Sequence, residues 1–121
     1  MDHSARFVTL CDEAKQRIRE VTIDEVAERR RRGDPFELVD VREDNEVAKE
    51  RIPGARHIGR GVLERDVERL IPDLDADVVL YCGGGYRSAL AAESLGKMGY
   101  RRVASMAGGI RGWKDKGLPV E

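Results

Sequence analysis

The chain has 121 residues, 40% of them hydrophobic and 37% charged, which fits one soluble globular domain large enough to bury a core without disulfide staples. Its 22 Lys+Arg stand against 23 Asp+Glu, a net charge of -1, and this argues against a dedicated nucleic-acid binder, whose domain is strongly basic. No apolar run approaches a membrane span, and Met1-Asp2-His3-Ser4 lacks the basic-then-apolar order of an export signal, so the expected location is cytoplasmic, with Cys11 and Cys82 kept as thiols.

Phe7, Leu10, Cys11, Ala14 and Ile18 fall on one stripe and predict a helix over about 6–19. Thr22 and Glu25 form a capping box that starts a second helix, with Val21 and Val26 placed for a hydrophobic staple. Arg29-Arg30-Arg31-Arg32 closes that helix, where cations suit the negative end of the dipole, and Gly33 ends it. Residues 36–41 read as a strand, Pro53-Gly54 as a turn and Arg56-His57-Ile58 as a short extended piece. A helix is predicted over 62–71, and Asp77-Val78-Val79-Leu80-Tyr81 is a strand buried on both faces. A helix over 88–98, a strand over 102–106 and a short helix holding Ile110 and Trp113 complete the chain. Strands alternating with helices imply an α/β domain around a mostly parallel sheet.

The segment Tyr81-Cys82-Gly83-Gly84-Gly85-Tyr86-Arg87-Ser88 carries the chemistry. Ligands of open parallel sheets bind beyond the carboxyl ends of the strands, where Cys82 is placed. Three glycines let the chain curl so that successive N–H groups form an anion nest, to which the following helix adds its unpaired N–H groups. A cysteine at such a mouth has its thiolate favoured, and Arg87 adds a planar fork of donors. The segment reads as a device that holds a nucleophilic sulfur beside a second anionic group. Its bland alternative is a plain strand–turn–helix junction with a small buried cysteine.

Four motifs in order resemble a single-domain rhodanese: Leu38-Val39-Asp40-Val41-Arg42-Glu43, Ile52-Pro53-Gly54-Ala55-Arg56-His57-Ile58, Tyr81-Cys82 through Arg87-Ser88, and Gly108-Gly109-Ile110 with Trp113 and Gly117-Leu118-Pro119. The resemblance covers about Val21 to Pro119 and implies a rhodanese-like three-layer α/β domain over residues 21–121, behind an N-terminal helical extension of residues 1–20. Its sheet is expected to have five mostly parallel strands with helices on both faces. The resemblance further implies sulfur transfer through a persulfide on Cys82, with Arg87 as the second catalytic residue. Gly83, Gly84, Gly85, Tyr86 and Ser88 are the implied substrate-binding residues. The sulfur donor is expected to be thiosulfate or a persulfide, and the acceptor a thiol or cyanide, or a protein sulfur acceptor. No cofactor or metal, no nucleic acid and no membrane is expected, and the chain is expected to be a monomer or weak dimer.

Related phosphatases and arsenate reductases carry five residues between cysteine and arginine, whereas this chain carries four, Gly83 to Tyr86. The shorter loop suits an outer sulfur better than a tetrahedral oxyanion. A module that carries persulfide or binds a partner without turnover is the rival from another class. Glu50-Arg51 replaces the Gly-His of many relatives, and Gly83-Gly84 stands where many carry side chains.

The resemblance implies that Asp40 and Arg42 are a structural charged pair, while His57 is read as a packing residue and Cys11 as an inert thiol on an apolar helix face. Trp113 is read as a core anchor. Arg111 and Lys114 either add positive potential at the mouth or are plain surface charge.

Overall fold

The computed structural model describes residues 2–121. Helix α1 (Ala5–Lys15) is followed by β1 (Arg19–Val21), α2 (Ile23–Arg32) and β2 (Glu37–Asp40). Helix α3 (Asp44–Lys49), β3 (Arg56–His57), α4 (Leu63–Leu70) and β4 (Asp77–Tyr81) come next. The chain closes with α5 (Tyr86–Lys97), β5 (Arg102–Met106) and α6 (Gly109–Asp115). The five strands run in the order β1-β5-β4-β2-β3, and every pairing is parallel.

Parallel strands need covered faces, and the side-chain alternation of β4 shows how each is covered. Val78 and Leu80 join Leu63, Val67, Ala91, Ala92 and Leu95 in one core cluster, beneath α4 and α5. Val79 and Tyr81 point the other way, into a cluster with Ile23, Val26, Ile110 and Trp113 of α2 and α6. Helices thus cover both faces, and α1 packs outside α5 as an added element.

Local signals explain the ends of α2. Glu25 N–H donates to Thr22 Oγ1 at 3.0 Å, the Glu25 carboxylate accepts from Thr22 N–H at 3.4 Å, and Gly33 closes the helix at φ 75°. Of the arginine run, Arg29 reaches Asp77 at 2.8 Å and Arg30 the carbonyl of Pro53. Arg31 pairs with Glu28 and Arg32 with Asp34 on the exposed side.

Three expectations are corrected. The first helix stops at Lys15 rather than Arg19, and Arg19, Glu20 and Val21 pair with Ala104, Ser105 and Met106 as the edge strand β1. That ladder satisfies the backbone of Arg19 to Val21 and outweighs the helical preference of a mostly polar stretch. Leu10 is 54% exposed rather than in the core, because Cys11 and Ala14 form the buried face of α1 and Leu10 lies about 100° round the helix from Cys11. Helix α5 begins at Tyr86, two residues ahead of the predicted start, so Tyr86 and Arg87 occupy its first turn. Helix α3, absent from the sequence reading, buries no residue.

Candidate active site

Cys82 follows the central strand β4, and Gly85 at φ 98° swings the chain from that strand into α5. A side chain at residue 85 would be strained by this backbone angle and would press on the Gly108 nitrogen at 3.2 Å. The curl brings two backbone donors onto one sulfur. Gly85 N–H donates to Cys82 Sγ at 3.1 Å and Ser88 N–H at 3.4 Å, while the thiol lies 3.5 Å from Ser88 Oγ. Ser88 Oγ is in turn 2.7 Å from Ser105 Oγ, and both serines are fully buried. Cys82 is 1% exposed, so a reagent must reach it through the loop. Gly83, Gly84 and Tyr86 make no hydrogen bond to the sulfur.

The loop is held from behind by the start of α6. Ile110 N–H donates to the Cys82 carbonyl at 2.9 Å and Arg111 N–H to the Gly83 carbonyl at 3.0 Å. Gly109 makes this approach possible, since a Cβ there would stand 2.5 Å from the Cys82 carbonyl oxygen. The Gly108-Gly109 motif is thereby a docking surface for the cysteine loop.

Arg87 turns its fork onto Glu46 of α3, with contacts of 2.6 and 3.0 Å. The guanidinium's hydrogen bonds hold the Glu46 carboxyl down at about 2, despite partial burial. Sequence reasoning missed Glu46, whose one signal is a capping box with Glu43 at the head of an otherwise polar helix. It also missed Ser105, which nothing in the sequence separates from an ordinary strand residue.

Tyr86 points at α1. Its ring lies 4.8 Å from His3 in an edge-on arrangement and 6.1 Å from Phe7, and Lys15 Nζ sits 4.4 Å from its centroid. Phe7, Cys11 and Lys15 recur every fourth residue of α1, with His3 ahead of its N-cap, so one face of α1 lies along this tyrosine. Cys11 is fully buried there, and burial pushes its thiol up from the ordinary range.

The other weighed residues take structural places. Arg42 grips Asp40 at 2.8 Å and the Glu50 carbonyl at 2.7 Å, in a pair less than 6% exposed, and His57 Nε2 meets the Arg42 carbonyl at 2.8 Å. Trp113 is 2% exposed and donates to the Pro119 carbonyl at 2.9 Å. Lys114 pairs with Glu50. Among the described residues no cluster of His, Cys, Asp or Glu is built to hold a metal, and no helix is long and apolar enough to cross a membrane.

A family model described as the rhodanese-like domain matches residues 22–116. A sulfurtransferase of Allochromatium vinosum is 40% identical over 69% of this chain and 76% of its own length. The thiosulfate sulfurtransferase PspE of Escherichia coli K12 is 33% identical over 67% of this chain and 74% of its own length. A solved structure from Rhodopseudomonas palustris, a protein of unknown function described as a "Possible Tyrosine Phosphatase", superposes with a TM-score of 0.88. It is 31% identical and covers 100% of this chain and 99% of its own.

Proposed function

The chain belongs to the rhodanese-like domain family, and from that membership we propose that it is a sulfurtransferase that moves a sulfane sulfur through a persulfide on Cys82. The observation that carries this reading is the convergence of Gly85 N–H and Ser88 N–H on a single sulfur, at 3.1 and 3.4 Å. Two fixed amide donors on a buried atom can hydrogen-bond an anionic sulfur there without reorganising.

With thiosulfate as donor, the Cys82 thiolate attacks the outer sulfur, a Cys82–sulfur bond forms, and the bond to the sulfonate sulfur breaks. Sulfite leaves with the electron pair, and the persulfide keeps one negative charge. A thiolate or cyanide then attacks the outer sulfur of the persulfide, and Cys82 leaves as thiolate. In this reading Gly85 and Ser88 hold Cys82 Sγ. The N–H groups of Gly83, Gly84, Tyr86 and Arg87 are left by this reading to receive the outer sulfur. Arg87 keeps the loop in shape through Glu46. No step needs a metal or an organic cofactor.

The test is intact-mass spectrometry after exposure to thiosulfate, with sites mapped on peptides. We expect one added sulfur atom on Cys82 that cyanide removes. An unmodified Cys82 after a panel of thiosulfate, polysulfide and low-molecular-weight persulfides would overturn the reading.

The similarity to the Rhodopseudomonas palustris structure favours one second reading, a phosphatase on the same cysteine. Against it stand the four-residue interval between Cys82 and Arg87 and the engagement of the Arg87 fork by Glu46. A phosphate ester needs that fork for its own oxygens.

A further inference from the structure

Two guanidinium groups reach the space at Gly83, those of Arg87 and Arg111, and Arg87 is neutralised by Glu46. Arg111, in the first turn of α6, forms no ion pair with any carboxylate of the described residues and is exposed. Its guanidinium lies across the two bare glycines. A Cβ on Gly83 would stand 3.2 Å from an amino group of Arg111 and 3.2 Å from one of Arg87, so the two cations converge on one small space. A Cβ on Gly84 would stand 3.5–3.6 Å from the same Arg111 guanidinium. Its backbone N–H, bound to the Gly83 carbonyl at 3.0 Å, fixes the root of the side chain against the loop.

We infer that Arg111 is the donor-binding residue of this site: it takes the anionic end of the sulfur donor, an oxyanion such as a sulfonate carried next to the transferred sulfur. With no side chains at Gly83 and Gly84, the Arg111 guanidinium lies over the loop backbone itself. The charge that selects the donor is thus delivered from α6 instead of from the loop. An unpaired cation beside the neutralised Arg87–Glu46 pair makes the local potential positive, and an incoming anion relieves it. The inference rests on the sulfur-transfer reading for the identity of the ligand, while the anion site itself stands on the geometry of Arg111.

One experiment separates the two. Alkylation of Cys82 is followed by peptide mapping with iodoacetate and with iodoacetamide, reagents of the same chemistry that differ in charge. In Arg111→Ala the iodoacetate-to-iodoacetamide rate ratio should fall about fivefold at low salt, the size of one charge pair about 4 Å apart in a water-like dielectric. The drop should shrink as salt screens the exposed charge, and Arg111→Lys should keep most of the ratio. An unchanged ratio in Arg111→Ala would overturn the proposal. The second arm compares transfer to cyanide from thiosulfate and from N-acetylcysteamine persulfide, which carries the sulfur without an oxyanion. Arg111→Ala should lose about 10- to 100-fold in kcat/KM with thiosulfate, mostly through KM, as expected for one charge-assisted hydrogen bond. With the persulfide the change should stay within about twofold. Equal losses with both donors would overturn Arg111 as the selector. A wild-type protein that transfers from neither donor, yet keeps its Arg111-dependent iodoacetate preference, would sink the sulfur-transfer reading and leave the anion site standing.

Discussion

The Arg87 guanidinium donates to both carboxylate oxygens of Glu46, so the arginine of the cysteine loop is anchored to α3 rather than free in the mouth. Because this contact holds the Glu46 carboxyl down at about 2, below the 4.5 of a free glutamate, it stabilises the fold above pH 4.5 and loses that contribution as pH falls toward 2. Glu46→Gln should lower the melting temperature at neutral pH by about 3–6 °C, since the pair is two-thirds buried and contributes roughly 1 kcal/mol in a domain of this size. Melts of both proteins across acid pH check the sign. The gap should close between pH 4.5 and 2, and a gap that is independent of pH would show that the carboxylate charge plays no part.

The two thiols should behave differently. Cys82 faces two amide donors, whereas Cys11 is fully buried on α1, where desolvation pushes its thiol up. Only the thiolate attacks a sulfur donor, so Cys82→Ser should abolish transfer and Cys11→Ser should keep most of it. Transfer assays on both variants, with circular dichroism to confirm folding, decide the matter. Equal loss in two folded variants would point to a two-thiol cycle instead of a single carrier.

How much of this was legible beforehand depended on burial. β4 and α5 carry continuous or regularly spaced apolar residues, and their pattern alone placed Cys82 at a strand end before a helix. β1 was lost to the preceding helix because Arg19 and Glu20 are exposed on an edge, where no alternation marks the strand. α3 was invisible because none of its six residues is buried, and Glu46 was hidden with it. Arg111 was left undecided because its value depends on the proximity of Gly83 and Gly84, a tertiary contact between distant segments. Leu10 was misplaced because periodicity fixes a stripe on a helix without fixing its edge.

Two glycines should differ sharply in their response to alanine. At Gly109 the φ is 58°, and a Cβ would meet the Cys82 carbonyl oxygen at 2.5 Å and the Gly83 carbonyl group at 2.6 Å. Those are backbone atoms and cannot rotate aside. Gly109→Ala should therefore cost about 2 kcal/mol or more and move the cysteine loop. At Gly84 a Cβ would make only ordinary contacts, so Gly84→Ala should stay within about 0.5 kcal/mol of the parent. Urea unfolding measures both. A Gly109→Ala protein as stable as the parent would mean that α6 does not clamp the loop as tightly as these distances require.

The last prediction concerns phosphate esters. Hydrolysis through a cysteine needs the following N–H groups to circle a tetrahedral group of three oxygens, and it needs an arginine fork on two of them. Here the interval from Cys82 to Arg87 holds four residues, and two amide donors close on the sulfur itself at 3.1 and 3.4 Å. The Arg87 fork is already bidentate on Glu46. An incoming phosphate would have to displace a carboxylate that is ionised at every pH above about 2. We therefore expect p-nitrophenyl phosphate hydrolysis no faster than in Cys82→Ser. Glu46→Gln alone should not create it, because releasing the fork leaves the loop too short. Inserting one glycine after Gly84 should weaken persulfide formation, because the N–H groups of Gly85 and Ser88 would no longer meet on one atom. Initial-rate assays with the aryl phosphate, beside mass spectrometry of the persulfide, read both properties on the same proteins. Hydrolysis by the unaltered chain that disappears in Cys82→Ser would reverse the order of the two functional readings.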